Sequence, residues 1–274
     1  MSQQGPIDAR NGGQYNSSMM PASTIGRPLI LASASPRRRE LLGLLGLVFG
    51  ARAAKIAETP YPDESAVESV QRLARAKASA IARQIHPRSC PIVIGADTIV
   101  VLDGDALGKP KDPIEAETTL RQLRGREHEV YTALSLLTRP DGDSLDCLVR
   151  TIVPMRDYTD EEIYLYVRSG DPFDKAGAYA IQNSDFRPVA NLSGCYANVM
   201  GLPLCHLAVQ LSRLGVESQV DVAEACQSKL GYTCSEYPNV VKQISMNRPQ
   251  WTLPCLGDST PARARPGIKT GAGE

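Results

Sequence analysis

The sequence has little aromatic content and no long uninterrupted hydrophobic run. It contains 1 Trp and 3 Phe among 274 residues, and no apolar stretch approaches the roughly 20 residues that cross a bilayer. The N-terminus lacks the basic segment followed by an apolar segment that marks a secretory signal. These absences predict a chain outside the membrane, and we expect a cytoplasmic protein.

An excess of charge of either sign is absent as well. The chain carries 30 Lys and Arg residues against 30 Asp and Glu residues, so its formal net charge is zero. Nucleic-acid coats and proteins of membrane surfaces usually show a basic excess. Neutrality therefore predicts no nucleic-acid partner and no membrane partner, while it is compatible with a small charged ligand.

The seven cysteines have neither the even count nor the Cys-x-x-Cys pairs of a disulfide framework or a zinc knuckle. We interpret them as reduced thiols. Three of them, Cys226, Cys234 and Cys255, follow residue 220. A local metal or redox role in that segment is therefore a second interpretation.

The chain is predicted to contain three segments. Residues 1–26 are rich in Gly, Gln, Ser and Asn and are expected to form a disordered tail. Met19 and Met20 close this tail, so we also consider a translation start there. Residues 27–218 alternate apolar strands with capped helices, which predicts one α/β domain. Residues 219–274 form a C-terminal extension that is expected to be partly disordered, with a flexible end.

Several helices in the predicted domain carry clear start and stop signals. Asp112, followed by Pro113 and the returning carboxylate of Glu115, begins one helix, and Thr159 with Glu162 forms the capping box of another. Glycines close these helices. The predicted elements, in chain order, are strand 92–102, helix 112–125, strand 129–138, strand 146–155, helix 159–170, helix 203–215 and helix 222–230.

The turn after the first short strand combines a helix cap with groups that bind anions. Ser35 can cap a helix that begins at Pro36, whose missing N–H would be unpaired at that position anyway. The hydroxyl groups of Ser33 and Ser35 add to the free backbone N–H groups and the helix dipole. The guanidinium groups of Arg37 and Arg38 favour the same ligand, an anion with several oxygens. The turn predicts a polyphosphate site, and a solvated basic face is the alternative.

One carboxylate, that of Asp97, lies in the middle of the otherwise apolar strand 92–102. Burying that charge alone would be very costly, so Asp97 is predicted to face a metal, a cation or a cleft. A metal ligand, a general base and a structural salt bridge are all compatible with this position. Gly95, just before it, would let a ligand approach the backbone closely.

A lysine interrupts the apolar stripe of the next predicted helix. In the helix from about Glu64 to Ile85, the stripe continues from Leu73 to position 77, where Lys77 stands. The ammonium group is predicted to point into a phosphate-binding cleft, and snorkelling to the rim is the alternative. Lys109 and Lys175 offer a similar charge from loops, although a lone loop lysine is more often solvated.

These segments, in this order, resemble the Maf family of nucleoside triphosphate pyrophosphatases. The resemblance extends from about residue 27 to residue 215 and implies a single Maf-like, inosine-triphosphatase-like domain. That fold is a mixed twisted sheet flanked by helices, with two lobes around a central cleft. The matching segments are Ser33–Leu42, Arg72–Ala78, Gly95–Thr98, Leu107–Pro110, Gly125 with His128, Val130 and Thr132, Lys175–Gln182 and Gly201–Leu204.

The resemblance implies hydrolysis of a nucleoside triphosphate between its α and β phosphates, with Mg²⁺ or Mn²⁺ as a divalent cofactor. It implies that Asp97 is either the proton acceptor for the attacking water or a metal ligand, and that Glu58 shares the metal. The implied contacts with the triphosphate are Ser33, Ser35, Arg37, Arg38, Lys77 and Lys109, with Lys175 as a further candidate.

Within the family, the branch that acts on dTTP and UTP is the most similar. Arg37, Thr98 and Gln182 occupy the positions associated with that preference, and an amide offers a pyrimidine both a donor and an acceptor. A branch that hydrolyses 7-methyl-GTP and a non-catalytic nucleotide sensor that inhibits division are the alternatives. A homodimer is a possible assembly. Cys195 departs from the family pattern, since a serine is common at that position.

Overall fold

A computed structural model of the protein describes residues 27–86, 89–138, 142 and 144–246. Its centre is one six-stranded sheet with helices packed against it, which confirms the predicted mixed α/β class. The predictions for residues 1–26 and for the end of the chain from Pro249 fall outside the described residues. No helix in the described ranges has the length and apolar character to cross a membrane.

The sheet combines a short parallel part with a long antiparallel part. Its strands are β1 (Leu29–Leu31), β2 (Gly50–Ala51), β3 (Ile92–Leu102), β4 (Asp105–Leu107), β5 (Glu127–Leu137) and β6 (Ser144–Pro154). The strand order is β2-β1-β3-β5-β6, and β4 pairs with β3. Strand β1 runs parallel to β2 and β3, whereas β3, β5 and β6 are joined by antiparallel ladders. The three predicted strands are confirmed, with shifts of one or two residues at the ends of β5 and β6.

The described helices are α1 (Pro36–Gly43), α2 (Ala66–Ala82), α3 (Pro113–Leu123), α4 (Asp160–Arg168), α5 (Tyr196–Val199), α6 (Leu204–Arg213), α7 (Val222–Leu230) and α8 (Tyr237–Met246), with short 3₁₀ helices at Asp171–Asp174 and Ala176–Ala178. Three of them, α1, α3 and α4, begin directly after the caps that the sequence predicts. Ser35 accepts the N–H of Arg38, and Thr159 and Glu162 form a complete capping box. Asp112 caps α3 as predicted, but the carboxylate of Glu115 accepts the N–H of Lys111 rather than that of the cap residue.

Helix α2 lies directly on β3 and β5, and this contact explains the glycine in the middle of β3. A methyl group at Gly95 would lie 2.0 Å from the carbonyl oxygen of Ala74. Gly95 is therefore required for the close approach of α2 to the sheet. The prediction that Gly95 gives a ligand access to the backbone is wrong, because the helix backbone occupies that space.

One face of the long strand β3 contributes to two separate hydrophobic clusters. Ile94 and Ala96 belong to the first cluster, together with residues of α1 and α6. Val100 and Leu102 belong to the second cluster, together with residues of α3 and α4. Thr98, between them on this face, is only partly buried, and the division agrees with the two expected lobes.

The other face of β3 packs against α2. Val93 and Ile99 belong to two smaller hydrophobic clusters there, and Asp97 lies between them in the strand.

Part of the predicted C-terminal extension shares the core of the domain. Helices α7 and α8 pack against α6. Their buried residues Val222, Ala223, Cys226 and Val240 belong to the first hydrophobic cluster. Burial of these apolar side chains fixes the described part of the extension on the domain.

Candidate active site

Lys77 stands at the centre of a charged cluster between α2 and β3. The helical period that places Val70, Leu73 and Ile81 in the core also turns Lys77 inward, where it is 8% exposed. Its Nζ lies 2.6 Å from Oδ1 of Asp97. The predicted inward orientation of Lys77 is therefore confirmed, and its ammonium group supplies the cation that a carboxylate inside an apolar strand needs.

A second carboxylate completes this cluster from an irregular segment. Oε1 of Glu58 lies 2.7 Å from Nζ of Lys77, and the Glu58 side chain is 53% exposed. Partial burial raises the pKa of Glu58, but the hydrogen bond and charge of Lys77, with the charges of Lys109 and Arg38, hold that pKa below its usual value. We call Glu58, Lys77 and Asp97 the Lys77 cluster. The lowered pKa keeps the Glu58 carboxylate charged at neutral pH, and this side chain gives the cluster its contact with solvent.

Arg38 is engaged by the protein rather than free in solvent. Its Nε donates to the carbonyl oxygen of Gly201 at 2.8 Å, its Nη1 to that of Ala96 at 2.7 Å, and its Nη2 to Oγ1 of Thr98 at 2.9 Å. Burial lowers its pKa, and the charge of Asp97 opposes that shift. Arg38 therefore joins α1 to β3 and to the loop after α5, and it places a second cation beside Asp97.

Thr98 belongs to a chain of hydrogen bonds that runs into the protein. Its Oγ1 lies 2.9 Å from Oγ1 of Thr132, which donates to the carbonyl oxygen of Asn198 at 3.0 Å. The Asn198 side chain is fully buried and donates to the carbonyl oxygen of Val130 and to Oγ1 of Thr151. The sequence analysis did not identify Asn198. The feature that could have identified it is an amide side chain inside an otherwise apolar helical turn.

A second buried lysine, Lys175, lies in a different cluster. Its Nζ donates to the carbonyl oxygen of Asp171 at 2.5 Å, to Oδ1 of Asp171 at 2.8 Å and to Oδ1 of Asp174 at 2.6 Å. Asp174 also accepts Nη1 of Arg37 at 3.1 Å. We call Arg37, Asp171, Asp174 and Lys175 the Lys175 cluster. The two aspartates were missed, because Arg37 and Asp174 are 137 positions apart and no local pattern connects them.

The remaining predicted site residues lie at the edges of these clusters. Oγ of Ser33 accepts the N–H of Ser35 at 3.2 Å, so both serines shape the turn before α1. Lys109 is exposed, yet its charge lies near enough to Glu58 to lower the pKa of that carboxyl. Gln182 is exposed after the second 3₁₀ helix, and among the described residues it has no hydrogen bond to either cluster.

The fold and the site together define a mixed α/β protein with a carboxylate–lysine cluster between α2 and β3. The sequence matches the family profile described as Maf-like protein over residues 28–214, and the chain belongs to this family.

Relatives with established names match over the same length of chain. A protein named dTTP/UTP pyrophosphatase from Geobacter sp. (strain M21) is 46% identical over 187 residues, which is 68% of this chain and 95% of that protein. A protein of the same name from Myxococcus xanthus (strain DK1622) is 47% identical over 188 residues, 69% of this chain and 93% of that protein. The solved structure of the Staphylococcus aureus Ham1 protein matches with a TM-score of 0.35 and 16% identity over 48% of this chain and 73% of that chain, too weakly to carry an argument.

Proposed function

We propose that this protein hydrolyses nucleoside triphosphates, preferably dTTP and UTP, to the nucleoside monophosphate and pyrophosphate. It is a hydrolase that acts on acid anhydrides in phosphorus-containing compounds. The observation that carries the proposal is the match of residues 28–214 to the family, with relatives named dTTP/UTP pyrophosphatase at 46% and 47% identity. The matched range contains both the Lys77 cluster and the Lys175 cluster.

The Lys77 cluster supplies the groups that this reaction needs. We assign Asp97 as the general base that accepts a proton from the attacking water. The oxygen of that water bonds to the α-phosphorus, and the bond from this phosphorus to the bridging oxygen breaks. Lys77 holds the Asp97 carboxylate at 2.6 Å. The cations of Lys77 and Lys109 stabilise the negative charge that develops on the leaving pyrophosphate.

The two carboxylates also fit a Mg²⁺ or Mn²⁺ ion in their chemistry, since both ions prefer oxygen ligands. Within the ranges that the structure describes, no group of three or more His, Cys, Asp or Glu side chains is arranged to hold a metal. Mg²⁺ is commonly bound by one or two carboxylates together with substrate phosphates. Glu58 and Asp97 would therefore hold an ion that the triphosphate also coordinates, and such an ion supplies Lewis-acid charge at the phosphates.

The substrate contacts divide into phosphate, base and positioning groups. We assign the phosphates to the turn of Ser33 and Ser35 at the N-terminus of α1, where a helix favours anions. The exposed amide of Gln182 is assigned to the pyrimidine edge. Nη2 of Arg38 donates a hydrogen bond to Oγ1 of Thr98 at 2.9 Å, so we assign these two residues a positioning role beside Asp97.

Product analysis tests this function. The purified protein is incubated with dTTP, UTP, CTP, GTP or 7-methyl-GTP, with Mg²⁺, Mn²⁺ or a chelator, and pyrophosphate, phosphate and nucleotide products are measured. We expect pyrophosphate and monophosphate from dTTP and UTP, and loss of this activity with the chelator. Release of phosphate and a diphosphate would contradict the reaction, and preference for 7-methyl-GTP would contradict the substrate.

Paired variants make the test specific to the site. Asp97→Asn keeps the size of the side chain, and we expect its turnover to fall by about 10³-fold because proton transfer is lost. Asp103→Asn is the matched control, since Asp103 is exposed and pairs with Arg126. Tight nucleotide binding by the wild type without any turnover would instead support a nucleotide sensor.

A further inference from the structure

Four of the seven cysteines line one small cavity that the proposed reaction does not use. Cys195, Cys205, Cys226 and Cys234 surround a cavity of about 20 Å³ between α5, α6, α7 and the start of α8. A cavity of this size accommodates one molecule about as large as water. The four thiols come from positions up to 39 apart in the sequence, so only the packing of the C-terminal helices brings them together.

Two of these thiols, those of Cys195 and Cys234, come from segments that contact each other beside the cavity. Sγ of Cys234 lies 3.6 Å from the carbonyl oxygen of Gly194, the residue before Cys195. The Tyr232 hydroxyl lies 3.2 Å from the N–H of Gly194 and 3.0 Å from its carbonyl oxygen. These contacts fasten the segment before α8 to the segment before α5, so that the two cysteines are neighbours on the cavity wall.

The surroundings give the two thiols opposite roles. The hydrogen bond from Cys195 and the backbone N–H groups of Glu236 and Tyr237, opposed by partial burial, lower the pKa of Cys234 to about 6. The same hydrogen bond, together with burial, raises the pKa of Cys195 well above its usual value. Cys234 is therefore the more acidic and more nucleophilic of the two thiols, at partial exposure beside a buried partner.

The other two thiols of the cavity are poorly suited to a metal centre. Burial raises the pKa of Cys205 to about 12 and that of Cys226 to about 11, so both are weaker nucleophiles than Cys234 at neutral pH. No group of three or more metal-binding side chains occurs in the parts of the chain that the structure describes. The geometry therefore favours chemistry between two thiols over coordination by four.

We propose that Cys195 and Cys234 are an oxidation site, where hydrogen peroxide or a related hydroperoxide produces a reversible intramolecular disulfide. The Cys234 thiolate attacks one peroxide oxygen, the O–O bond breaks, and a sulfenic acid and a hydroxide form. The Cys195 thiol then attacks the sulfenic sulfur, the S–O bond breaks, and the oxygen leaves as water. Two thiols lose two electrons and two protons, and one peroxide becomes two waters. A dithiol reverses the bond by exchange.

Peptide mapping of the full-length protein tests this proposal. After peroxide treatment and alkylation of free thiols, a tryptic digest places Cys234 alone in peptide 230–242 and Cys195 with Cys205 in peptide 176–213. We expect these peptides to be joined with the loss of two hydrogen atoms, and dithiothreitol to separate them. The Cys205→Ser variant should give the same linked pair, which assigns the bond to Cys195.

Two serine variants separate the roles of the thiols. In Cys195→Ser, we expect the Cys234 sulfenic acid to accumulate and to be trapped by dimedone, since its partner thiol is gone. In Cys226→Ser, the control from the same cavity, the disulfide should form as in the wild type. A linked pair that contains Cys226 in place of Cys195 or Cys234 would overturn the proposal. So would one zinc ion per chain in the purified protein, with Cys234 unreactive toward alkylation.

Discussion

Two buried lysines, Lys77 and Lys175, lie in ion-paired clusters of similar charge. The clusters differ in how many hydrogen bonds their carboxylates make within the protein. Each lysine is 8% exposed. Lys175 donates to three acceptors, and its partner Asp171 also accepts hydrogen bonds from Tyr166 and Asn183. Lys77 has two carboxylate partners, one of which is the half-exposed Glu58.

Asp174 is also bound by Arg37, so each carboxylate of the Lys175 cluster has a protein partner besides the lysine, and we call this cluster closed. We call the Lys77 cluster open because, among the described residues, the side chains of Glu58 and Asp97 bond only to Lys77. Solvent exposure does not separate the clusters, since Asp174 is 63% exposed and Glu58 is 53% exposed.

This difference teaches that burial and charge alone do not identify a catalytic lysine. A closed cluster contributes to the fold, because its buried lysine has exchanged water for protein acceptors that are themselves held by other residues. An open cluster keeps charge available for a ligand, at some cost in stability. We therefore expect substitutions in the Lys77 cluster to reduce turnover, and substitutions in the Lys175 cluster to reduce the free energy of unfolding.

The largest expected effect is that of Lys77→Met on turnover. The substitution keeps most of the side-chain volume and removes the cation beside Asp97, so kcat/KM for dTTP should fall by about 10³-fold, or about 4 kcal/mol of transition-state stabilisation. Lys229→Met, at a half-exposed lysine that pairs with Glu40, is the control. Activity of Lys77→Met within tenfold of the wild type would show that the open cluster is not the catalytic one.

The matching substitution in the closed cluster, Lys175→Met, should act on stability. It leaves Asp171, which is 32% exposed, and Asp174, which is 63% exposed, without their shared cation. Breaking a fully buried ion pair costs about 3 kcal/mol or more, and because water screens these carboxylates we expect a loss of about 1 to 2 kcal/mol. Urea denaturation should show this loss, while kcat/KM of the folded protein stays within tenfold of the wild type. Unchanged stability with lost turnover would instead make Lys175 a substrate contact, and the comparison of the two clusters would fail.

The pH dependence of stability should separate both clusters from His128. This residue is 2% exposed, its Nε2 lies 2.9 Å from the Tyr179 hydroxyl, and burial lowers its pKa from 6.5 to about 4. The unfolded chain therefore binds a proton more readily between pH 6.5 and pH 4, and the folded state loses up to about 3 kcal/mol as the pH falls through this range. His128→Gln should reduce that slope in urea denaturation measured as a function of pH, and the remainder belongs to His206, whose pKa is also lowered by burial.

The carboxylates of the clusters act at lower pH than His128. Partial burial raises the pKa values of Glu58, Asp171 and Asp174. Hydrogen bonds and charge, mainly from Lys77 and Lys175, lower them by more, so all three pKa values lie below the usual ones. Their stabilisation is complete above the ordinary carboxyl pKa values of about 4 and is lost as the pH falls through the lowered ones. An unchanged slope between pH 6.5 and pH 4 in the double variant His128→Gln with His206→Gln would contradict this assignment.

The smallest expected effect is that of Glu58→Gln. Since Glu58 is half exposed, its loss should change the free energy of unfolding by less than about 0.5 kcal/mol. The concentration of Mg²⁺ that gives half-maximal turnover should rise by about tenfold, because one oxygen ligand has lost its charge. Glu127→Gln, at an exposed position in β5, is the control. An unchanged Mg²⁺ requirement would remove Glu58 from the metal site.

Features with a local cause were predictable from the sequence. The caps at Ser35, Asp112 and Thr159 need only a side chain and a backbone N–H three residues on, and all three were confirmed. The 11-residue strand β3 was predicted at its observed bounds, because its long apolar run ends at a turn. The helical period was enough to turn Lys77 into the protein.

Features that are short or that depend on distant partners were not predictable. Strands β2 and β4 have 2 and 3 residues, too few to establish an alternating pattern. The role of Gly95 also depends on a distant partner, because the backbone of α2 occupies the space that the sequence suggested for a ligand. The sequence suggested a redox or metal role for the late cysteines, but it did not pair Cys234 with Cys195, which lies outside that segment.

The sequence by itself determined the α/β class, the helix starts, the family and the inward orientation of Lys77, since each follows from neighbours within a few residues or from motifs in order. Only the tertiary structure decided which lysine lies in the open cluster and which in the closed cluster. That difference depends on Asp174 meeting Arg37 across 137 positions and on Glu58 reaching Lys77 from an irregular segment. Contacts of this kind form only when the chain folds, because no local preference places the partners together.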